Sequence, residues 1–172
     1  MVVISNTSPL RYLIAAGQAD LLGTLFGTIL IPSAVERELL DPHSPSSVRQ
    51  WMAHRPAWVQ LKAVQALPDL DLTNQLHLGE AEAIKLAHEL RADLLIMDER
   101  RGRQIAAARG LTVIGTLGIL RESYRRNLIS NPIEVAAQLR SAGFRASRAL
   151  MKRFEEQIRE LERQQPRSEK QR

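Results

Sequence analysis

Short apolar runs of strand length, separated by stretches with helical spacing, limit what this chain can become more than any other feature. "VVIS" (residues 2–5), "TILI" (28–31), "DLLIMD" (93–98) and "LTVIG" (111–115) look like strands buried on both faces, without polar alternation. A further segment, "WVQLKAV" (58–64), alternates as a half-exposed strand does. Helices are expected at 9–16 (stopped by Gly17), 18–26 and 33–40, the last opened by Pro32 and ended by Asp41-Pro42. Others follow at about 48–54, 79–90, 100–109, 116–126, 132–142 and 147–164, while 65–78 is turn-rich and expected to be irregular. Strands joined through helices of this length predict an α/β fold with a mainly parallel sheet of four to five strands. Near Gly143 the chain leaves this pattern, so a domain over 1–145 is expected, followed by a C-terminal helix and basic tail over 146–172.

Composition narrows the chemistry. The 172 residues suit one domain, and with 44% apolar but only 4% aromatic residues its core must be mainly aliphatic. The absence of cysteine excludes disulfides, thiolate metal sites and thiol catalysis. No apolar run reaches 18 residues, and Met1 leads straight into the first strand, so no membrane partner is expected and a cytoplasmic location is. The net charge of +5 is concentrated at the end: residues 145–172 hold 9 Lys/Arg against 5 Asp/Glu. Such a tail favours anionic partners, or is a solvated helix face. There is no P-loop, dinucleotide fingerprint or Gly-x-Ser-x-Gly elbow. His43, His54, His77 and His88 show no metal-ligand spacing and read as surface or loop residues.

What remains is a set of oxygen-bearing groups near strand ends. A buried strand runs into "SNTSP", where Thr7 or Ser8 can cap a helix starting at Pro9. In an open parallel sheet the same edge is also where ligands bind. Asn6 closes the first strand, Asp98 and Glu99 follow the strand "LLIM", Glu38 lies in the helix after the second strand, and Glu80 and Glu82 open "GEAEAI". Short strand-to-helix turns bring these ends to one sheet edge. Converging carboxylates repel one another unless a hard divalent ion such as Mg²⁺ or Mn²⁺ joins them. Taken singly, Glu38 fits a solvated helix face, Glu80 and Glu82 fit a first-turn dipole role, and Asp98 fits a helix cap.

"VVISNTSPLRYL", "IPSAVERELL", "LGEAEAIKLA" and "LLIMDERRGRQIAAARGLTVIGTLGIL" stand in the order and spacing of a PIN-like family, close to VapC-type toxin ribonucleases. The resemblance covers about residues 1–145 and implies a three-layer α/β/α sandwich. It also implies Mg²⁺- or Mn²⁺-dependent cutting of single-stranded RNA, restraint by a small cognate antitoxin, and a homodimer. Carried over by position, it implies that Asn6, Glu38, Glu80 (with Glu82 as fallback) and Asp98 are the catalytic and metal-binding set. Thr7 and Ser8 would stand beside the metal, and Arg100, Arg101 and Arg103 near the RNA backbone. On this reading, replacing Asp98 by Ala abolishes cleavage and leaves the fold intact.

One departure matters: PIN nucleases generally begin with Asp where this chain has Asn6. An amide oxygen can ligate but brings no charge. The rival expectation is therefore a PIN-like module that binds RNA or protein without cutting. A third makes the chain a structural component of a toxin–antitoxin pair. Its C-terminal helix would grip another chain through the stripe Leu150, Phe154, Ile158 and Leu161, which equally suits intramolecular packing.

Overall fold

The structure, a computed structural model, describes residues 1–164. Five short strands, β1 (Val3–Ser5), β2 (Ile29–Ile31), β3 (Val59–Leu61), β4 (Leu94–Ile96) and β5 (Val113–Ile114), form one all-parallel sheet in the order β3-β2-β1-β4-β5. Val3 pairs with Ile29 on one side and with Leu94 on the other, and Ser5 pairs with Ile96. The carboxyl ends of β1 and β4 are therefore level. The chain runs outward from β1 through β2 to β3, then returns to lay β4 on the other side of β1. That reversal makes the β1/β4 boundary the switch point, where open α/β sheets leave a crevice.

Unalternating strands are buried on both faces, and successive side chains divide between two cores. Val3, Ile29, Ile31 and Ile96 join one core with α1 (Thr7–Ala15), α2 (Asp20–Phe26), α3 (Ser33–Leu40) and α4 (Ser46–Ala53). The same core takes side chains from α8 (Thr116–Arg125), α9 (Pro132–Ser141) and α10 (Arg148–Gln164). Ile4, Leu95 and Met97 face the opposite core with α5 (Leu70–Thr73), α6 (Leu78–Glu89) and α7 (Arg100–Ala108). The result is a three-layer α/β/α sandwich. Each fully buried Ile or Leu contributes roughly 1.5–3 kcal/mol of burial free energy.

Several boundaries differ from the sequence reading. The first helix starts at Thr7, not Pro9, with Asn6 as its N-cap, the Asn6 side chain accepting the Thr7 N–H at 2.7 Å. β3 is an edge strand of three residues in which Val59 alone is buried, so the alternation over 58–64 overstates its length. Within the stretch expected to be irregular, one turn of helix, α5, buries Leu72. In α10, Phe154 and Ile158 lie in the main core with Leu161 against it, whereas Leu150 is 47% exposed. Most of that stripe is thus intramolecular packing. The basic tail beyond residue 164 lies outside the described residues. No helix among the described residues is long and apolar enough to cross a membrane.

Candidate functional site

The polar groups at the switch point follow directly from the strand ends. Asn6 leaves β1 and is only 2% exposed, its backbone N–H donating to the Ile96 carbonyl of β4 at 2.9 Å. One residue on, the Thr7 hydroxyl donates to Glu38 Oε2, so it serves a carboxylate of α3 and not the helix that Thr7 begins. Glu38 Oε1 accepts the Gly79 N–H at 3.0 Å. Glu80 Oε2 accepts the His77 N–H at 3.1 Å, the carboxylate half of a capping box at the start of α6. Gly79 is what permits this approach, because a Cβ there would stand 2.6 Å from both Glu38 oxygens.

Asn6, Thr7, Ser8, Glu38 and Glu80 line one cleft of about 360 Å³, together with Arg11, His77 and Leu78. Sequence reading singled out the first five for this site and passed over Arg11 and His77. Arg11 lies three residues beyond Ser8 on α1, a spacing that puts the two on one helix face and could have flagged it. His77 was dismissed for lack of metal spacing. It reaches the cleft as the N-cap residue of α6, a place that pairwise histidine spacing cannot reveal.

The other expected site residues do not line this cleft. Both Asp98 oxygens are engaged by Thr116, one accepting its N–H at 2.7 Å and the other its hydroxyl at 2.6 Å. Asp98 lines a separate cavity of about 250 Å³ with Arg103, Arg121, Phe144 and Leu150. Arg103 donates to the Met97 carbonyl at 2.8 Å. Arg100 and Arg101 line a third hollow with Gln75 and Glu99, where Arg101 bonds the Gln75 side chain at 3.1 Å. Glu82 points away from the cleft: its Oε2 accepts the Ala34 N–H at 2.8 Å, and Arg37 lies 3.6 Å from its Oε1.

Negative charge gathers at this sheet edge. Neither Glu38 nor Glu80 forms an ion pair among the described residues. Burial pushes the Glu80 carboxyl above its ordinary value; the His77 N–H opposes this, and the charges of Glu99 and Glu38 add to it. Burial likewise raises Asp98, against the bonds from Thr116 and the charge of Arg103. Glu99, named with Asp98 at the strand end but left out of the catalytic and metal-binding set, acts on both carboxyls, a reach set by the turn after β4.

A raised carboxyl means that the folded state holds its proton more tightly than the unfolded chain. Ionisation of Glu80 therefore removes stability as pH climbs from its ordinary 4.5 through the raised value. Glu80→Gln, which keeps an oxygen for the His77 N–H, is expected to raise Tm by a few degrees at pH 7. The gain should vanish below about pH 4.5, where both carboxyls of the comparison, folded and unfolded, are protonated. Melting curves across pH check this, and an unchanged Tm at pH 7 would contradict a burial cost for the ionised Glu80.

The donor set of the cleft suits a divalent cation. Among the described residues no three His, Asp or Glu side chains converge into a ready-made cage. Two carboxylates, a buried amide and two hydroxyls do share the cleft. Mg²⁺ commonly takes one or two carboxylates and keeps several waters, so hard oxygens carrying unpaired negative charge fit such an ion.

A parallel sheet with carboxylates, hydroxyls and an amide gathered at its switch point defines a class of α/β proteins that bind polar ligands at one sheet edge. Within that class, a family model described as a PIN domain matches residues 2–160. The chain belongs to this PIN-domain family. No curated protein and no solved structure gives a significant match. PIN domains have a nuclease-type fold, are generally hydrolases acting on nucleic acid, and typically use divalent metal ions.

Proposed function

We propose that the chain is a metal-dependent endoribonuclease that cuts single-stranded RNA, acting as the toxin of a toxin–antitoxin pair. The observation that carries this reading is the pairing of Glu38 and Glu80, neither in a salt bridge among the described residues, beside Asn6 and Thr7 at the switch point. Glu38 and Glu80 would hold Mg²⁺ or Mn²⁺, with the Asn6 amide as an uncharged third donor. When bound, the ion lowers the pKa of a water and offsets charge on the scissile phosphate. Thr7 and Gly79 fix the Glu38 carboxylate by one hydrogen bond each, so its orientation is set before substrate arrives. Arg11, exposed at the cleft and without an ion-pair partner among the described residues, is placed to meet a backbone phosphate. Asp98 acts through its neighbours, anchoring the start of α8 and adding negative charge nearby. Arg103 sits with it, and Arg100 and Arg101 are placed for a more distant stretch of RNA. A cytoplasmic location, a homodimer and a small antitoxin partner belong to this reading.

The test is cleavage of a mixed-sequence single-stranded RNA by antitoxin-free protein with Mn²⁺, Mg²⁺ or EDTA, and Glu38→Gln as control. Glutamine keeps an acceptor for the Gly79 N–H, so the fold should persist while cleavage is lost. Metal-independent cleavage, or full activity in Glu38→Gln, would overturn the assignment.

A second reading is favoured by Asn6 and by the lack, among the described residues, of a third converging carboxylate. It makes the chain a PIN-like module that binds RNA or protein without cutting. An inactive wild type in which Asn6→Asp gains metal-dependent cleavage would decide for it.

A further inference from the structure

One buried carboxylate has no part in the chemistry proposed above. Glu82 is 6% exposed and sits five residues into α6. Its Oε2 accepts the N–H of Ala34, the second residue of α3, at 2.8 Å. The relation is reciprocated. Glu38, on α3, accepts the N–H of Gly79, the second residue of α6, at 3.0 Å. Each helix thus uses a carboxylate from its body to satisfy a first-turn amide of the other, amides that no intrahelical partner can serve. Each carboxylate also lies at the positive end of the other helix's dipole. Arg37 adds little, since it stands 3.6 Å from Glu82 with its side chain 62% exposed.

Two crossed bonds between the same two helices restrain both sliding and rotation, which a single bond cannot do. This matters because Glu38 and Glu80 stand on different helices, Glu38 on α3 and Glu80 on α6. Their spacing is only as fixed as the register of α3 against α6. The Glu38–Gly79 bond faces the cleft, whereas the Glu82–Ala34 bond is buried away from it. We infer that Glu82 is a positioning residue: by capping α3 from α6 it completes a reciprocal clamp that sets the Glu38–Glu80 spacing, without touching cation or RNA. This rests on the cation site proposed above.

The clamp needs an oxygen at the reach of a glutamate side chain, not a charge. Glu82→Gln keeps the oxygen and loses the charge, while Glu82→Asp keeps the charge and loses the reach. Mn²⁺ affinity by calorimetry should fall about 10–100-fold in Glu82→Asp, as for other residues that orient a ligand, and stay within a few-fold of wild type in Glu82→Gln. Amide exchange at Gly79, on the far side of the clamp, should accelerate several-fold in Glu82→Asp and not in Glu82→Gln. Glu82→Ala should behave as Glu82→Asp does, and circular dichroism shows which variants are folded. The opposite order, with Gln impaired and Asp retained, would make Glu82 a direct ligand and overturn the inference. So would Mn²⁺ affinity and Gly79 exchange that both ignore Glu82→Asp. Failure of the wild type to bind Mn²⁺ would sink the cation site instead, and Gly79 exchange would still report on the clamp.

Discussion

Alanine at position 79 is expected to leave the fold standing and cut RNA cleavage by about 10²-fold. Its Cβ would meet both oxygens of Glu38 at 2.6 Å, closer than a Cβ atom stands to any non-bonded neighbour. Those oxygens end a flexible side chain, so Glu38 can swing clear at small cost to the fold. In doing so it gives up the Gly79 N–H and the Thr7 hydroxyl that aim it. Two lost hydrogen bonds of about 1 kcal/mol each are set against the better helix propensity of alanine, worth up to about 1 kcal/mol. Stability should therefore fall by only about 1 kcal/mol. Catalysis does not tolerate the same displacement, since misplacing a reacting group by about 1 Å can cost 10²-fold. Melting and single-turnover cleavage measured on one preparation separate the two effects. Wild-type cleavage in Gly79→Ala would mean that Glu38 need not stand where the structure holds it.

The layered fold was legible because its signal is local and repeated. Four unalternating apolar runs and the helices between them require a sheet covered on both faces, and within them "VIS", "ILI", "LLI" and "VI" are the strands found. Strand order was not readable from periodicity, since pairing β1 with β4 joins segments some ninety residues apart. Boundaries slipped where a polar side chain had two possible tasks. Pro9 suggested a helix start, but Asn6 caps the helix and frees the Thr7 hydroxyl for α3. Segment 65–78 hid a turn of helix because a single buried residue, Leu72, holds it.

For the candidate site, the sequence narrowed the groups but not their partners. Residue type and strand-end position brought forward Asn6, Glu38 and Glu80, which do share a cleft. Glu80 and Glu82 differ by two positions in one helix and so point to different sides of it, yet no spacing rule says which side is the cleft. That is decided by α3, whose first-turn amide takes Glu82. Asp98 posed the same problem at a strand end. The residue that claims it, Thr116, comes after another strand has intervened.

That claim makes Asp98→Ala a destabilising change, contrary to the expectation from sequence that it would spare the fold. Thr116 is fully buried, and Asp98 accepts both its N–H and its hydroxyl. Alanine removes the carboxylate that caps α8, worth about 0.5–2 kcal/mol, and strands a buried hydroxyl at about 1–3 kcal/mol. Relief of the buried charge, which already raises the Asp98 carboxyl, offsets part of this. The expected net loss is about 2–3 kcal/mol, or roughly 5–10 °C in Tm for a chain of this size. Asp98→Asn keeps an acceptor for the Thr116 N–H and should melt within a few degrees of wild type. Cleavage lost in Asp98→Ala alone therefore says nothing about chemistry, because the start of α8 has been released at the same time. Cleavage in Asp98→Asn reports the charge by itself. A loss of about 10–100-fold is the size expected of a group acting through its neighbours. Complete loss in a variant that melts like wild type would instead make Asp98 a direct ligand, and an unchanged Tm in Asp98→Ala would remove the cap.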